Sequence, residues 1–338
     1  MTNFPNNFWY VAATSDELTN EPLARTVCQE DIVLYRTSDG DVVALEDYCP
    51  HRGLPLSKGK CEGSGIRCGY HGLLINSDGV CDSMPEQPHV ANLKGVKSYP
   101  VTEEYGFVWI WYGDEESANT SKLPNMPWGK EASEWVFAGG MYAIQCDYRL
   151  LIDNLMDLSH ETYVHPESIG QAEIDEAKPE VTTGDDDVVT LSRWMQGIYP
   201  PPFWEGLYGK KEKVDRWQIC RFYPPSNVHI DVGVAKAGTG APEGDRSHGI
   251  TGLVVGFITP ETDKSCWYFW GMARNFQTND TELTERICLG QKTIFGQDTD
   301  ILESQQKNLD KRPDRKVINM DIDKGGFMSR KIIEKLCK

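Results

Sequence analysis

Hydrophobic and polar positions alternate in short blocks over the first third of the chain and in longer blocks after it. Residues 8–12, 32–36 and 42–46 are β-branched or aromatic runs bounded by polar turns, which predicts strands. Ser38-Asp39-Gly40-Asp41 lies between two of them and reads as a hairpin turn. Residues 72–75 followed by 76–79 predict a second hairpin, and 107–112 a strand that closes the region. A polar stretch over 113–127, with two prolines, reads as a linker. Beyond it, a strand is predicted over 135–144. The spacing of Leu151, Leu155 and Leu158 predicts a helix over 148–163. Strands follow over 188–194, 216–223, 228–235, 252–259 and 266–270, then a long amphipathic helix over 281–309 and a short one over 329–336. Strands in a run with flanking helices define an antiparallel α+β class. The expected division is a small antiparallel β domain over 1–115 and a sheet-plus-helix domain over 116–338.

Candidate chemistry sharpens that picture at CPHRGLPLSKGKCEGSGIRCGYHG. Cys49 and His51 form one mixed pair, Cys68 and His71 another, with 16 residues between the pairs. Two thiolates on one iron and two imidazoles on the other are the ligand set of a Rieske [2Fe-2S] centre, a one-electron carrier. Each pair sits in a turn punctuated by Pro50 and Gly53 or by Gly69 and Gly72, which lets backbone N–H groups face the sulfurs. A structural zinc site is the competing reading, but zinc modules usually pair like ligands with like.

Composition narrows the class. The chain has 338 residues, 39% of them hydrophobic, enough for two cores. With 51 acidic and 34 basic residues its formal charge is −17, which argues against nucleic acid and anionic membrane surfaces as partners. Ten cysteines without pairing rhythm fit reduced thiols in a cytoplasmic protein. The N-terminal residues carry no basic region and no long apolar run, so no secretory signal is expected there.

A second constellation lies in LLIDNLMDLSHETYVHPES. Three-residue steps join Asn154, Asp157 and His160 along one drifting side of the predicted helix. His160 and His165 are five apart, about 140° on a regular helix, so both reach one metal only if the helix breaks between them. Pro166 supplies one reason for a break, because it disfavours helical backbone at His165. In the long helix, Ile294, Ile301, Leu302 and Gln305 mark one face, and Asp298 falls on it while Asp300 and Glu303 point away. A carboxylate on an apolar face is expensive unless paired or coordinated. His160, His165 and Asp298 would make the two-histidine, one-carboxylate triad of a non-haem Fe(II) oxygenase. Each residue alone is more ordinarily a core or surface side chain. A Rieske pair followed by two hundred further residues changes that weighting, because a lone carrier needs only about 100 residues.

CPHRG, CGYHG and NLMDLSHETYVH resemble, in order and spacing, the two motifs of the Rieske non-haem iron oxygenases. The resemblance extends over most of the chain through PPFW, DRWQICRF, ITPE and WYFWGMARNF. It implies an N-terminal Rieske domain, a C-terminal helix-grip domain and a mononuclear Fe(II). It also implies O2 as co-substrate and electrons from NADH through a separate flavin and iron–sulfur reductase. The implied activity is O-demethylation of an aryl methoxy acid. Another aromatic acid, or an electron carrier lacking the second iron, is the alternative. Such oxygenases are head-to-tail trimers in which a carboxylate links one subunit's cluster to the next subunit's iron. Asp157 matches that carboxylate and Asn154 the asparagine near the iron. Many relatives carry Glu-Asp where this chain has Gln297-Asp298, which leaves the ligand position intact. A buried aromatic carboxylate needs donors, for which Arg193, Arg216, Arg221 and His229 on predicted strands are candidates. Trp267 and Phe269, and Tyr268 and Trp270, alternate on two faces of one strand; core packing is the default reading, and one pair could line a pocket.

Overall fold

The computed structural model describes residues 4–128 and 134–338. The chain divides into two compact units: Pro5–Met126 with Thr259–Thr262, and the remainder, chiefly Pro127–Ile258 and Asp263–Lys338. No helix among the described residues is long and apolar enough to cross a membrane.

The first unit is built from three small antiparallel sheets. One orders Phe8–Thr14, Phe107–Tyr112 and Val101–Glu104; a second orders Leu23–Val27, Glu30–Arg36 and Val42–Glu46; the third has the four short strands Lys60–Glu62, Gly65–Arg67, Leu74–Ile75 and Cys81–Ser83. The predicted turn at Gly40 joins Glu30–Arg36 to Val42–Glu46, with Gly40 at φ 92°. The expected linker belongs largely to this unit. Glu115–Ser117 and Thr120–Lys122 are single 3-10 turns, Trp9 Nε1 donates to the Asn119 carbonyl at 2.9 Å, and Trp111 Nε1 donates to that of Asp114 at 2.8 Å. Two buried indoles thus hold a segment whose polarity alone suggests a free tether.

The second unit is one seven-stranded sheet with helices. Its strand order is Val136–Ile144, Ser265–Arg274, Gly249–Thr262, Asn227–Lys236, Val214–Tyr223, Val189–Ile198 and Glu180–Thr183. The helix Thr281–Asp310 lies along the first two: Phe295 packs on Tyr268 and Trp270, and Tyr142 Oη donates to the Lys292 carbonyl at 2.7 Å. Tyr268 and Trp270 are therefore core residues under this helix. Its buried face runs Leu283, Ile287, Gln291, Ile294, Phe295, Asp298, Leu302, Gln306. Ile301 is 44% exposed and Gln305 is exposed, so the buried stripe turns one position away from the predicted one. Glu303, expected in solvent, is half-buried and accepts from the Gln145 N–H at 3.1 Å.

The predicted helix over 148–163 is three pieces. Tyr148–Leu155 is α-helical, Leu158–His160 is a 3-10 turn, and Glu161–Val164 is one α-helical turn. Asp157 causes the break: its backbone is extended at φ −142°, and its carboxylate accepts from the Ser159 N–H at 3.0 Å and Ser159 Oγ at 2.9 Å. Aspartate offers the backbone such a cap in place of continued helix. Asn154, Asp157 and His160 thus share no helix face, contrary to their three-residue spacing.

The terminal helix spans Lys324–Leu336, five residues longer at its start than predicted, with Gly325 and Gly326 in the added turn. Both glycines permit close approach to Tyr148–Leu155 and the residue after it. A Cβ at Gly325 would stand 2.7 Å from the Met156 carbonyl oxygen, and Arg330 grips Asp153 at 2.5 Å nearby. Gly325→Val should destabilise the protein by about 1–3 kcal/mol through overpacking, read as a lower thermal midpoint in circular dichroism. An unchanged midpoint would show that these two helices separate without loss.

Candidate metal centres and active site

The Cys/His quartet stands on two loops of one construction. In each, the cysteine N–H donates to a leucine carbonyl five residues on, Cys49 to Leu54 at 2.9 Å and Cys68 to Leu73 at 2.8 Å. A glycine N–H four residues on returns a bond to the cysteine carbonyl, Gly53 to Cys49 at 2.8 Å and Gly72 to Cys68 at 3.1 Å. Gly53 and Gly72 have φ of 71° and 74°, the left-handed region that glycine enters without penalty. Cys49 and Cys68 are buried in the core with Val33, Leu45, Ile66 and Leu73. His51 and His71 are exposed, their ring centroids 4.6 Å apart at 64°, and Tyr70 lies 3.9 Å from His71.

Burial pushes the Cys49 thiol up, and the adjacent Cys68 sulfur adds to this, against backbone N–H groups of His51 and Arg52 that favour the thiolate. Two sulfurs in an apolar core ionise together only with a cation between them. Two buried sulfurs, that of Cys49 faced by N–H groups, with imidazoles at the outer edge, fit a Rieske cluster.

The second centre lies within the sheet-and-helix unit. His160 Nε2 is 3.4 Å and His165 Nε2 3.2 Å from the same oxygen, Asp298 Oδ1, and ligand atoms of all three lie within 4.8 Å of one another. Asp298 is 4% exposed and His165 2%. The break at Asp157 and the helix end at Val164 let the two histidines face one point despite their spacing. Both outer ring nitrogens are committed. His160 Nδ1 meets the Asp157 carbonyl oxygen at 2.7 Å and His165 Nδ1 meets Gln297 Oε1 at 2.7 Å. These acceptors place the proton on Nδ1 and leave each Nε2 lone pair directed at the centre, as a metal ligand requires. Asn154 Nδ2 completes the group, 3.3 Å from Asp298 Oδ1 and 3.5 Å from His160 Nε2. Burial works against charge on His160, but the Asp298 carboxylate outweighs it and raises the imidazole above its ordinary value. Burial likewise opposes charge on Asp298, and the two histidines more than offset it. The donor set suits a divalent iron with open positions.

A cavity of about 70 Å³ opens onto this centre. Its walls are mostly apolar, with Leu158, Phe203, Trp204, Val232, Ile294 and Phe295 among them. Of the four candidate donors for a substrate carboxylate, only Arg216 lines it. Arg216 is 2% exposed, pairs with Glu161 at 3.0 Å and Gln171 at 2.6 Å, and leaves Nε without a partner among the described residues. Arg193 is buried against the Ala177 carbonyl and Gln218, and Arg221 pairs with Asp231 at 3.9 Å. His229 alternates with the cavity-lining Ile230 and packs between Tyr223 and Phe257. Its pKa is lowered to about 3 by burial and by Arg221. Strand position alone did not tell which side of the sheet these residues face. The sequence reading also passed over Glu161 and Gln218: the sheet register sets Gln218 opposite Arg193, and the helical turn Glu161–Val164 brings Glu161 onto Arg216 and Gln218.

A buried His/His/Asp centre at a cavity, on a helix-backed sheet, together with a Cys/His quartet on a separate β unit, defines an iron–sulfur-dependent non-haem oxygenase. Residues 144–338 match the family model described as Vanillate O-demethylase oxygenase C-terminal domain, and residues 8–100 match the Rieske [2Fe-2S] domain. The chain belongs to the vanillate O-demethylase oxygenase family of Rieske non-haem iron enzymes. It is 51% identical to the vanillate O-demethylase oxygenase subunit of a Pseudomonas species, over 98% of this chain and 95% of that one. It is 36% identical to the oxygenase component of dicamba O-demethylase from Stenotrophomonas maltophilia, over 83% and 81% of the two chains. The crystal structure of dicamba monooxygenase bound to 3,6-dichlorosalicylic acid superposes with a TM-score of 0.90 at 32% identity, covering 98% of this chain and 97% of that one. The enzyme is a Rieske monooxygenase with a 2Fe–2S cluster and a mononuclear iron.

Asp298→Ala should keep the visible absorption of the cluster and lower total iron from about three to about two atoms per chain, as metal analysis of the purified protein will show. Iron that stays at the wild-type level would remove Asp298 from the ligand set.

Proposed function

We propose that this chain is the terminal oxygenase of a multicomponent system that O-demethylates vanillate to protocatechuate and formaldehyde. The carrying observation is the apolar cavity that ends on His160, His165 and Asp298 and holds one buried guanidinium, Arg216, in its wall. It suits a flat aromatic ring with an acidic substituent. The named relatives support the same chemistry, since two of them are O-demethylase oxygenases.

In this reading Cys49, His51, Cys68 and His71 hold the cluster in the N-terminal domain, and His160, His165 and Asp298 hold the iron in the C-terminal one. When bound, the iron supplies oxygen activation and the cluster supplies electrons singly. The balance is one aryl methyl ether, one O2, two electrons and two protons in; one phenol, one formaldehyde and one water out. The chain's own residues provide the setting. Gln297 and the Asp157 carbonyl hold the imidazoles in the ligating tautomer, and Asn154 steadies Asp298. The apolar wall excludes water, and Arg216 Nε meets the substrate carboxylate.

Asp157 links the two centres across a head-to-tail trimer. Its carbonyl already holds His160, and its carboxylate is bound on one side by Ser159, which fixes it for a histidine of a neighbouring copy. Electrons arrive from NADH through a flavin and iron–sulfur reductase, in the cytoplasm.

With a matched reductase and NADH, vanillate should give equimolar protocatechuate and formaldehyde. Formaldehyde from another methoxybenzoate but none from vanillate would move the assignment to that acid. Asp157→Asn should retain the iron content and cluster spectrum and lose at least about tenfold in turnover. Loss of iron in that variant would make Asp157 a structural residue instead.

A further inference from the structure

The long helix carries a second polar residue on its buried face, two turns before Asp298. Gln291 is 5% exposed and lines the cavity. Its Nε2 donates to Met272 Sδ at 3.3 Å. A thioether accepts a hydrogen bond and has none to give, so this contact sets the amide with its nitrogen toward the sulfur. Gln291 Oε1 is then fully buried with no donor among the described residues. A buried amide carbonyl without a donor is costly and uncommon. It is well accounted for where a bound molecule supplies the donor.

The surroundings say what kind of donor. Met272, Ile294, Phe295 and Val254, close by in the cavity wall, offer no charge. Gln218 is engaged at both ends, by Arg193 and by Glu161, and Glu161 accepts from Arg216 and Gln218. A substrate carboxylate at Gln291 would set acceptor against acceptor, so the acid belongs with Arg216. A neutral O–H on the ring satisfies Gln291 without bringing charge into an apolar wall. Seven residues of helix separate Gln291 from Asp298, about 10 Å along the axis, and both side chains line the same cavity.

We propose that Gln291 is a specificity-determining residue whose carbonyl accepts the hydrogen bond of a ring hydroxyl. The site thereby prefers hydroxylated methoxybenzoates over their analogues lacking that hydroxyl. This rests on the demethylase reading above and adds the feature of the substrate that the pocket selects. A site built to pair a hydroxyl discriminates strongly against its absence, because the protein group is left bare.

The test uses the iron-loaded oxygenase without reductase, under anaerobic conditions. Dissociation constants for vanillate and meta-methoxybenzoate are measured by calorimetry. The wild type should bind vanillate about tenfold more tightly, and Gln291→Leu should bring the ratio to about one. Met272→Leu, which removes the sulfur that orients the amide, should shrink the ratio part of the way and provides the reading if Gln291→Leu does not fold. Iron content and thermal midpoint confirm that each variant is intact. A ratio that survives in both variants, or an equal loss of both ligands, overturns the proposal. Turnover of the wild type keeps the two readings apart. No formaldehyde from either acid sinks the demethylase assignment. Formaldehyde from both, with the ratio unmoved by Gln291→Leu, sinks only the hydroxyl selection.

Discussion

One carboxylate on the buried face of a helix sets the terms for the catalytic unit. Asp298, 4% exposed, can keep its charge only because two imidazoles converge on one of its oxygens. That convergence needs the segment after Tyr148–Leu155 to leave the helix, turn at Asp157 and end again at Val164. It also needs the long helix to lie flat on the sheet, which Phe295 achieves by wedging against Tyr268 and Trp270. Without the metal, the arrangement is an acid between two bases. With it, the same three groups become ligands whose orientations are already settled, so little reorganisation is needed on binding.

The two centres solve opposite problems. The Cys/His quartet hides its sulfurs in the core and leaves His51 and His71 exposed. An electron carrier must offer an edge to its partner while keeping its charged sulfurs away from water. The His/His/Asp centre buries its carboxylate and one imidazole and opens only onto an apolar cavity. Oxygen chemistry needs water kept out, and a wall of leucine, isoleucine and aromatic side chains does that at little polar cost. Backbone hydrogen bonds serve both: the repeated cysteine–leucine ladder in the two loops, and the Asp157 carbonyl on His160.

Much of this was legible in the chain, and the failures have physical causes. The quartet could be read because its spacing is local: each ligand pair and its glycine lie within five residues, so the turn chemistry is in the sequence. The triad could be read because a carboxylate stands out on an apolar helical stripe. The break at Asp157 was missed because Leu151, Leu155 and Leu158 keep helical spacing while a single side-chain cap on Ser159 decides the backbone. The neighbours of Arg193 and Arg216 were missed because Gln218 meets Arg193 through the sheet register from 25 residues away, and Glu161 meets Arg216 from a helical turn 55 residues away. Gln291 could not be singled out either. A glutamine among apolar neighbours on a helix is ordinary until its carbonyl is found buried without a donor.

Gln297 shows how little charge the iron site carries beyond its ligands. It is exposed, follows no apolar pattern, and holds the Nδ1 proton of His165 at 2.7 Å through a neutral amide. The Asp157 carbonyl does the same for His160, also without charge. Asp298 is therefore the sole formal anion in the immediate ligand set, and a divalent metal there retains net positive charge. A glutamate at 297 would form the same hydrogen bond but draw the proton toward itself. It would make His165 a stronger donor and lower the positive charge felt by anything bound at the open positions. A neutral acceptor also adds no further anion to a centre that already has Asp298 and, in the cavity wall, Glu161. The choice of amide over carboxylate at this position thus bears on the metal, although Gln297 is not among the residues that line the cavity.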